Sequence, residues 1–393
     1  MEFSLPLLLA TIYIFTFSLG RIFEKIHIPW IFAALILGIL LSFYNPFSLV
    51  LNDAIFQFLG ELGMLFLLFL IGFELDLERL KKLGKFILKS AFFIILLEGA
   101  FGAILIHFVF HYPWLISCLI AVSFATVGEA VLVPILDKYR LIKTKLGNVI
   151  VGIGTFDDII EILIIVLVIS LASLLTSTAS VALPFTTFTT LISLGILFLL
   201  SFLFFKLKKI IVERLKVPDL SALFLFVIFV FFLFIGVGRL AEAGAIGALL
   251  AGLVTKVSLP KKQLETIELE IKGVSYGLFA PLFFVWIGSQ TQLNFSLFPF
   301  VFLVSTVTYG AKILASYIIG NKELGKKESI LMGIALSVRF STSIVIITLL
   351  YKELQVIGVE LYSILIGSTI LSVLVPFVLS YLINRWKLAL IAS

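Results

Sequence analysis

The sequence predicts an all-α polytopic membrane protein of about thirteen transmembrane helices, and three observations predict it. Of 393 residues, 61% are hydrophobic and only 13% charged, where a soluble domain carries roughly 25% charged residues. The mean hydropathy is +1.23. The apolar residues come in runs long enough to cross a bilayer, and most basic residues lie in the short loops between them.

A spanning helix needs about 20 mostly apolar residues, fewer where it is short or broken. On that rule the spans cover about 3–20, 29–44, 53–73, 87–110, 114–135, 146–172, 184–206, 219–238, 243–256, 273–290, 297–319, 328–350 and 358–384. The first lacks a basic leader and a small-residue cleavage site before Arg21, so it reads as a retained helix and not a signal. In the ninth, Gly244, Ala248 and Gly252 recur every four residues, a small-residue face for packing or dimerisation. The 41 phenylalanines read as lipid-facing or packing groups.

Lys and Arg test the count, because loops should alternate in charge. Arg21 and Lys25, the groups 79–85, 138–145, 206–216, 256–272 and 322–327, and Arg385 with Lys387 all fall on one side. With Lys89 that is 25 of the 29 basic residues, against Arg239 and Lys352 opposite and Lys312 and Arg339 inside spans. The expected topology is N-terminus out, C-terminus in. Spans two to six and nine to thirteen then have opposite orientations, the arrangement of inverted five-helix repeats in many secondary transporters.

The net charge of +6 therefore points to membrane orientation and lipid, not to nucleic acid. Cys118, the single cysteine, allows no internal disulfide and has no CxxC partner. His27, His107 and His111 have no metal-ligand spacing, and no GxGxxG follows the last span, so no nucleotide-binding domain and no cofactor is expected.

Chemistry is concentrated in Gly152-Ile-Gly-Thr-Phe-Asp157-Asp158-Ile-Ile-Glu161, about a dozen residues into span six. An ionisable residue at bilayer depth costs about 2.5–3.5 kcal/mol on insertion scales, so two in succession suggest ion handling over a purely structural pair. Neighbours on a helix point about 100° apart, so one carboxylate can face an ion cavity and the other a neighbouring helix. Proton exchange needs a carboxylate that titrates near the working pH, and buried, paired acids are where such groups occur. Glu161, one turn on, either extends this polar stripe or is a hydrogen-bonded spacer.

Span five carries Thr126, Gly128, Glu129 and Pro134 near mid-membrane, and span twelve carries Ser337, Arg339, Ser341, Thr342 and Ser343. Glycine and proline weaken a helix and hydroxyls satisfy freed backbone groups, so both read as discontinuous helices that build a midplane site. The bland reading of each is an intact helix with hydroxyls bonded to the preceding turn. Glu129 either pairs with Arg339 across the two segments or binds a cation itself. Lys312 lies deep in span eleven, and either pairs with Asp157 or snorkels to the cytoplasmic edge. Glu98 is a lone acid in span four, read as a hydrogen-bonded structural residue.

Segments 29–38, 59–76, 247–252 and 280–288, in that order, together with the aspartate pair and Lys312, resemble the monovalent cation:proton antiporter-2 family of the sodium/proton exchanger superfamily, its NapA-type members especially. The resemblance implies a homodimer with a scaffold (1–85 and 207–292), a mobile core (86–180 and 293–393) and a linking helix (181–206), working by elevator-like alternating access. It implies Asp158 as the main carrier of cation and protons and Asp157 as the acid paired with Lys312. The expected sodium or lithium site is completed by Asp157 and Thr126, with Glu161, Ser337, Ser341 and Thr342 as accessories. Phe340 and Glu129 depart from the family pattern, which keeps a potassium/proton antiporter as the alternative. A remote alternative is an intramembrane aspartyl protease, since Gly152 to Asp157 approaches a GxGD string; that chemistry needs acids on two facing helices and leaves Lys312 without a role. The expected protein is no enzyme but a multi-pass antiporter of the cytoplasmic membrane.

Overall fold

The computed structural model describes residues 4–386, apart from 26–28, 45, 75–83, 124, 129–131, 133–134, 137–138, 143, 158–159, 161–194, 209–212, 214–219, 241–243, 261–262, 293 and 340, and apart from the side chains of residues 123 and 341. These residues form helices and connections with no strand among them. In chain order they are α1 (Leu5–Lys25), α2 (Phe32–Phe43), α3 (Ala54–Glu74), α4 (Lys85–Phe110), α5 (Trp114–Ser123), α6 (145–157), α7 (195–208), α8 (Leu220–Arg239), α9 (Gly244–Ser258), α10 (Leu264–Ser289), α11 (Phe298–Leu324), α12 (Lys326–Leu336), α13 (Ser341–Thr348) and α14 (Val359–Arg385).

Seven of these, α1, α3, α4, α8, α10, α11 and α14, are long and apolar enough to cross a membrane. α2 and α9 are shorter apolar helices. The expected spans five and twelve are interrupted, so each is represented by shorter pieces. Span ten differs from expectation at its start: the helix begins at Leu264, nine residues before the apolar run, and passes through a π-helical stretch at Gly273–Phe279. Its first turns, Leu264-Glu-Thr-Ile-Glu-Leu-Glu-Ile-Lys272, are amphipathic, with Ile267 and Ile271 buried four residues apart.

The chain divides into two compact units. One comprises residues 1–17, 33–75 and 166–290, and the other 18–32, 76–165 and 291–393. The sequence-based division placed 18–32, 76–85 and 291–292 with the scaffold and 166–180 with the core, and set 181–206 apart as a linking helix. A Cβ at Gly20 would lie 2.9 Å from Trp30 Cβ, so the end of α1 and Trp30 approach closely within the segment 18–32.

Within the first unit α3 is the central element, and it packs on α9 backbone to backbone. A Cβ at Gly252 would come within 1.9 Å of the Phe69 carbonyl oxygen, and one at Gly72 within 2.0 Å of that of Leu249. The small-residue face of α9 is thus consumed in packing inside the protomer. Stacked Phe66, Phe231 and Phe279 rings, with centroids 4.2 and 4.6 Å apart, extend this core to α8 and α10.

The second unit is built around α11, which lies against α4, α12 and α14. Gly325, at φ +88°, reverses the chain between α11 and α12, a conformation in which a side chain is strained. Ile94, Ile153, Leu336 and Leu379 belong to its buried core. Phe92, Leu96, Ile104 and Phe108 on the opposite face of α4 are exposed, as befits a lipid-facing row.

Candidate functional site

Two helices of the second unit stop in mid-course. α5 ends at Ser123 and residues 125–128 are non-helical, while α12 ends at Leu336 and the helix resumes only at Ser341. A helix end leaves carbonyls and amides without intrahelical partners, and buried ones must find others. Here the two breaks partner each other: the Gly128 amide donates to the Val338 carbonyl at 2.7 Å. The Thr126 and Ser343 hydroxyls form a short hydrogen bond between the same two stretches. The Arg339 amide donates to Ser372 Oγ at 3.2 Å.

Two carbonyls of the breaks face a lysine. Lys312 Nζ donates to the Leu336 carbonyl at 2.9 Å and to the Thr126 carbonyl at 3.1 Å. It thereby binds both interruptions, one of them at the C-terminal end of α12, where the helix dipole favours a cation. Lys312 lies fourteen residues from the start of α11 and twelve from its end, about 20 Å from either at 1.5 Å per residue. With the side chain 1% exposed, snorkelling is ruled out.

The carboxylate beside Lys312 is Glu98. Its Oε2 lies 2.9 Å from Lys312 Nζ, and its Oε1 accepts from Arg339 Nη2 at 3.1 Å. Arg339 Nη2 also donates to Thr308 Oγ1 at 2.7 Å and Nη1 to Ser368 Oγ at 3.1 Å, while the guanidinium carbon lies 4.8 Å from the centre of the Tyr309 ring. Tyr309 in turn donates to the Ser368 carbonyl at 2.8 Å. All three charged side chains are at most 1% exposed. Two cations share one carboxylate, in a setting where an isolated charge would be very costly.

The sequence profile of the sodium/hydrogen exchanger, transmembrane family matches residues 10–383. The chain belongs to the sodium/hydrogen exchanger family. This exchanger is 26% identical over 374 residues to "Probable Na(+)/H(+) antiporter 3" of Methanocaldococcus jannaschii, covering 93% of each chain. It is 26% identical over 405 residues to the "Na(+)/H(+) antiporter" of Enterococcus hirae, covering 96% of this chain and 98% of that one. In fold it is similar to the sodium proton antiporter MjNhaP1 of M. jannaschii, with a TM-score of 0.61, 17% identity and coverage of 98% and 96%.

The exchanger's expected site residues fall in different places. Asp158, Glu161 and Glu129 lie outside the described residues. Asp157 lies in α6, 1% exposed, next to residues outside the description. Thr126, Lys312, Arg339 and Ser343 are brought together at the interruptions. Ser337 instead donates back to the Gly333 carbonyl at 2.8 Å, the bland reading of that hydroxyl. Thr342 is half-buried, and the Ser341 side chain is outside the description.

Among the described residues, Glu98 is a carboxylate that both cations contact; Glu129, offered by the sequence as a partner of Arg339, lies outside the described residues, and Asp157, offered as a partner of Lys312, is a buried residue of α6. Glu98 is not the lone acid it looks in sequence. A usable signal existed for part of this cluster: Ser305, Thr308, Lys312 and Ser316 recur at helical spacing and form one buried polar face of α11. Ser368 and Ser372, four residues apart, do the same on α14. For Glu98 no such stripe exists, and only the fold reveals its partners.

Proposed function

We propose that this exchanger is a sodium/proton antiporter of the cytoplasmic membrane, accepting lithium as well, in which cation and protons compete for Asp158 with Asp157 as the second carboxylate. The observation that carries this reading is the buried ammonium of Lys312 bound to carbonyls of two interrupted helices in a chain of the exchanger family. The names of its Methanocaldococcus and Enterococcus relatives support sodium as the cation. The reading as an intramembrane protease has no support from any of these, and the relatives named are transporters, not enzymes.

The interruptions serve this function in two ways. They expose carbonyl and hydroxyl oxygens, hard ligands suited to a small monovalent cation, without a fully dehydrated backbone. They also bring a fixed positive charge to the site. An empty, ionised aspartate pair carries two negative charges at bilayer depth. The cluster of Glu98, Lys312 and Arg339 holds two positive charges against one negative, so it offsets part of that charge, and a cation or protons supply the rest. Only the loaded core then crosses cheaply, which is what couples the two fluxes.

In this account residues 114–136 and 326–350 are the two crossed discontinuous helices of inverted repeats. The second unit is the moving core, and alternating access exposes its site to each side in turn, in an elevator-like movement of a homodimer. Lys312 acts as a fixed charge, held by Glu98, and Asp157 assists Asp158 and takes up Lys312 in another state of the cycle. The test is sodium-driven proton movement in proteoliposomes. Sodium-dependent acidification or alkalinisation that vanishes in Asp158→Asn supports the proposal. Equal fluxes in the two proteins, or no cation-dependent flux with sodium, lithium or potassium, contradict it.

A further inference from the structure

Between α4, α5 and the end of α6 the second unit has an apolar groove of about 370 Å³ that none of the transport chemistry uses. Its size lies within the roughly 300–1,000 Å³ of cavities that hold a small ligand. Small side chains form its floor, with Gly99, Ala100 and Ala103 on one face of α4. Cys118 and Val122 of α5 form one wall and Phe156 and Ile160 the other.

The surroundings say what fills it. Gly99 is fourteen residues from the start of α4 and eleven from its end, about 17–21 Å from either end at 1.5 Å per residue. In a hydrocarbon layer about 30 Å thick that is the interior, out of reach of headgroups and water. Phe92 and Leu96, on the rim, are 62% and 58% exposed and continue the lipid-facing row of α4. The groove is therefore open to the hydrocarbon and lined by side chains without a charge.

We propose that this groove holds one phospholipid acyl chain as a specific structural ligand of the aspartate-bearing helix. Phe156 and Ile160 bracket Asp157 and Asp158 in sequence, and both line the groove. An acyl chain seated there packs against Phe156 and Ile160 and supports the helical segment at Asp157. No other occupant matches both the depth and the lining: an ion or headgroup would lose its hydration without a partner, and an empty apolar cavity forfeits contacts on every wall.

The test is photocrosslinking of the full-length protein in liposomes containing a phospholipid with a mid-chain diazirine, with the sites mapped by mass spectrometry. The expected result is labelling of the α4, α5 and α6 segments several-fold above that of Phe229 and Phe232, exposed apolar residues on α8. Gly99→Leu, which points a larger side chain into the groove, should bring it down to the α8 level. A Cβ at Gly99 meets only Val122 Cγ2, at 3.6 Å, so the variant has room; Ala103→Phe serves if it does not accumulate. Labelling no stronger than on α8, or enhanced labelling that survives both substitutions, would overturn the proposal. Crosslinking of Cys118 to Cys118 between protomers by a short bifunctional maleimide would also overturn it, because a second copy would then cover the groove. None of these readouts depends on transport, so failure here is distinct from failure of the antiport reading.

Discussion

Each carboxylate oxygen of Glu98 takes a different cation, and this places the residue at the centre of the buried network. Removing one member of a buried ion cluster is costly, about 3–5 kcal/mol, because the charges left behind stay desolvated. Glu98→Gln should therefore lower the thermal unfolding midpoint of the detergent-solubilised protein markedly, and Glu98→Gln combined with Lys312→Met should cost less than the two single changes added together. Unchanged melting in Glu98→Gln would show that the network carries no stability. For Lys312→Ala the expectation is a lower midpoint or a shifted pH profile of exchange, since the Leu336 and Thr126 carbonyls lose their shared donor. An unaltered profile and midpoint would remove Lys312 from the mechanism.

The α3–α9 contact gives a sharper test among the elements. Its closeness depends on the absence of a side chain at Gly252, where a Cβ would meet a backbone oxygen that cannot rotate away. Gly252→Val should destabilise by about 1–3 kcal/mol or more, as overpacking does, seen as a lower melting midpoint. A neutral effect would mean that the two helices do not approach as closely as described. The same contact shows what was legible in the sequence. The small-residue spacing of α9 announced a close-packed helix, but the partner α3 follows only from the fold. Among the described residues, hydropathy located the seven helices long and apolar enough to cross a membrane and misplaced the start of α10, because Leu264 to Lys272 is helical yet too polar to count as membrane. The interruptions in spans five and twelve were readable from Gly128 and the hydroxyls around Arg339. The identity of the counter-ion was not, since 241 residues separate Glu98 from Arg339 and no local pattern links them.

For the whole molecule the account has one orientation and one pathway. Lys145 and Glu323 form an ion pair at 2.9 Å, and both lie at helix ends beside the segments that the basic-residue distribution assigns to the cytoplasm. In a Cys118→Ser background, single cysteines at positions 145 and 327 should be labelled by an impermeant maleimide only from the cytoplasmic side, and one at position 352 only from the outside. Labelling of positions 327 and 352 from the same side would break the topology, and with it the inverted repeat. The central claim is that Asp158 carries the exchanged ions, while Lys312, paired with Glu98, holds the carbonyls of the two interrupted helices. Sodium-driven proton flux in proteoliposomes, compared between the wild type and Asp158→Asn of matched folding, tests it most directly. The account predicts flux in the first and none in the second; flux preserved in Asp158→Asn would contradict it.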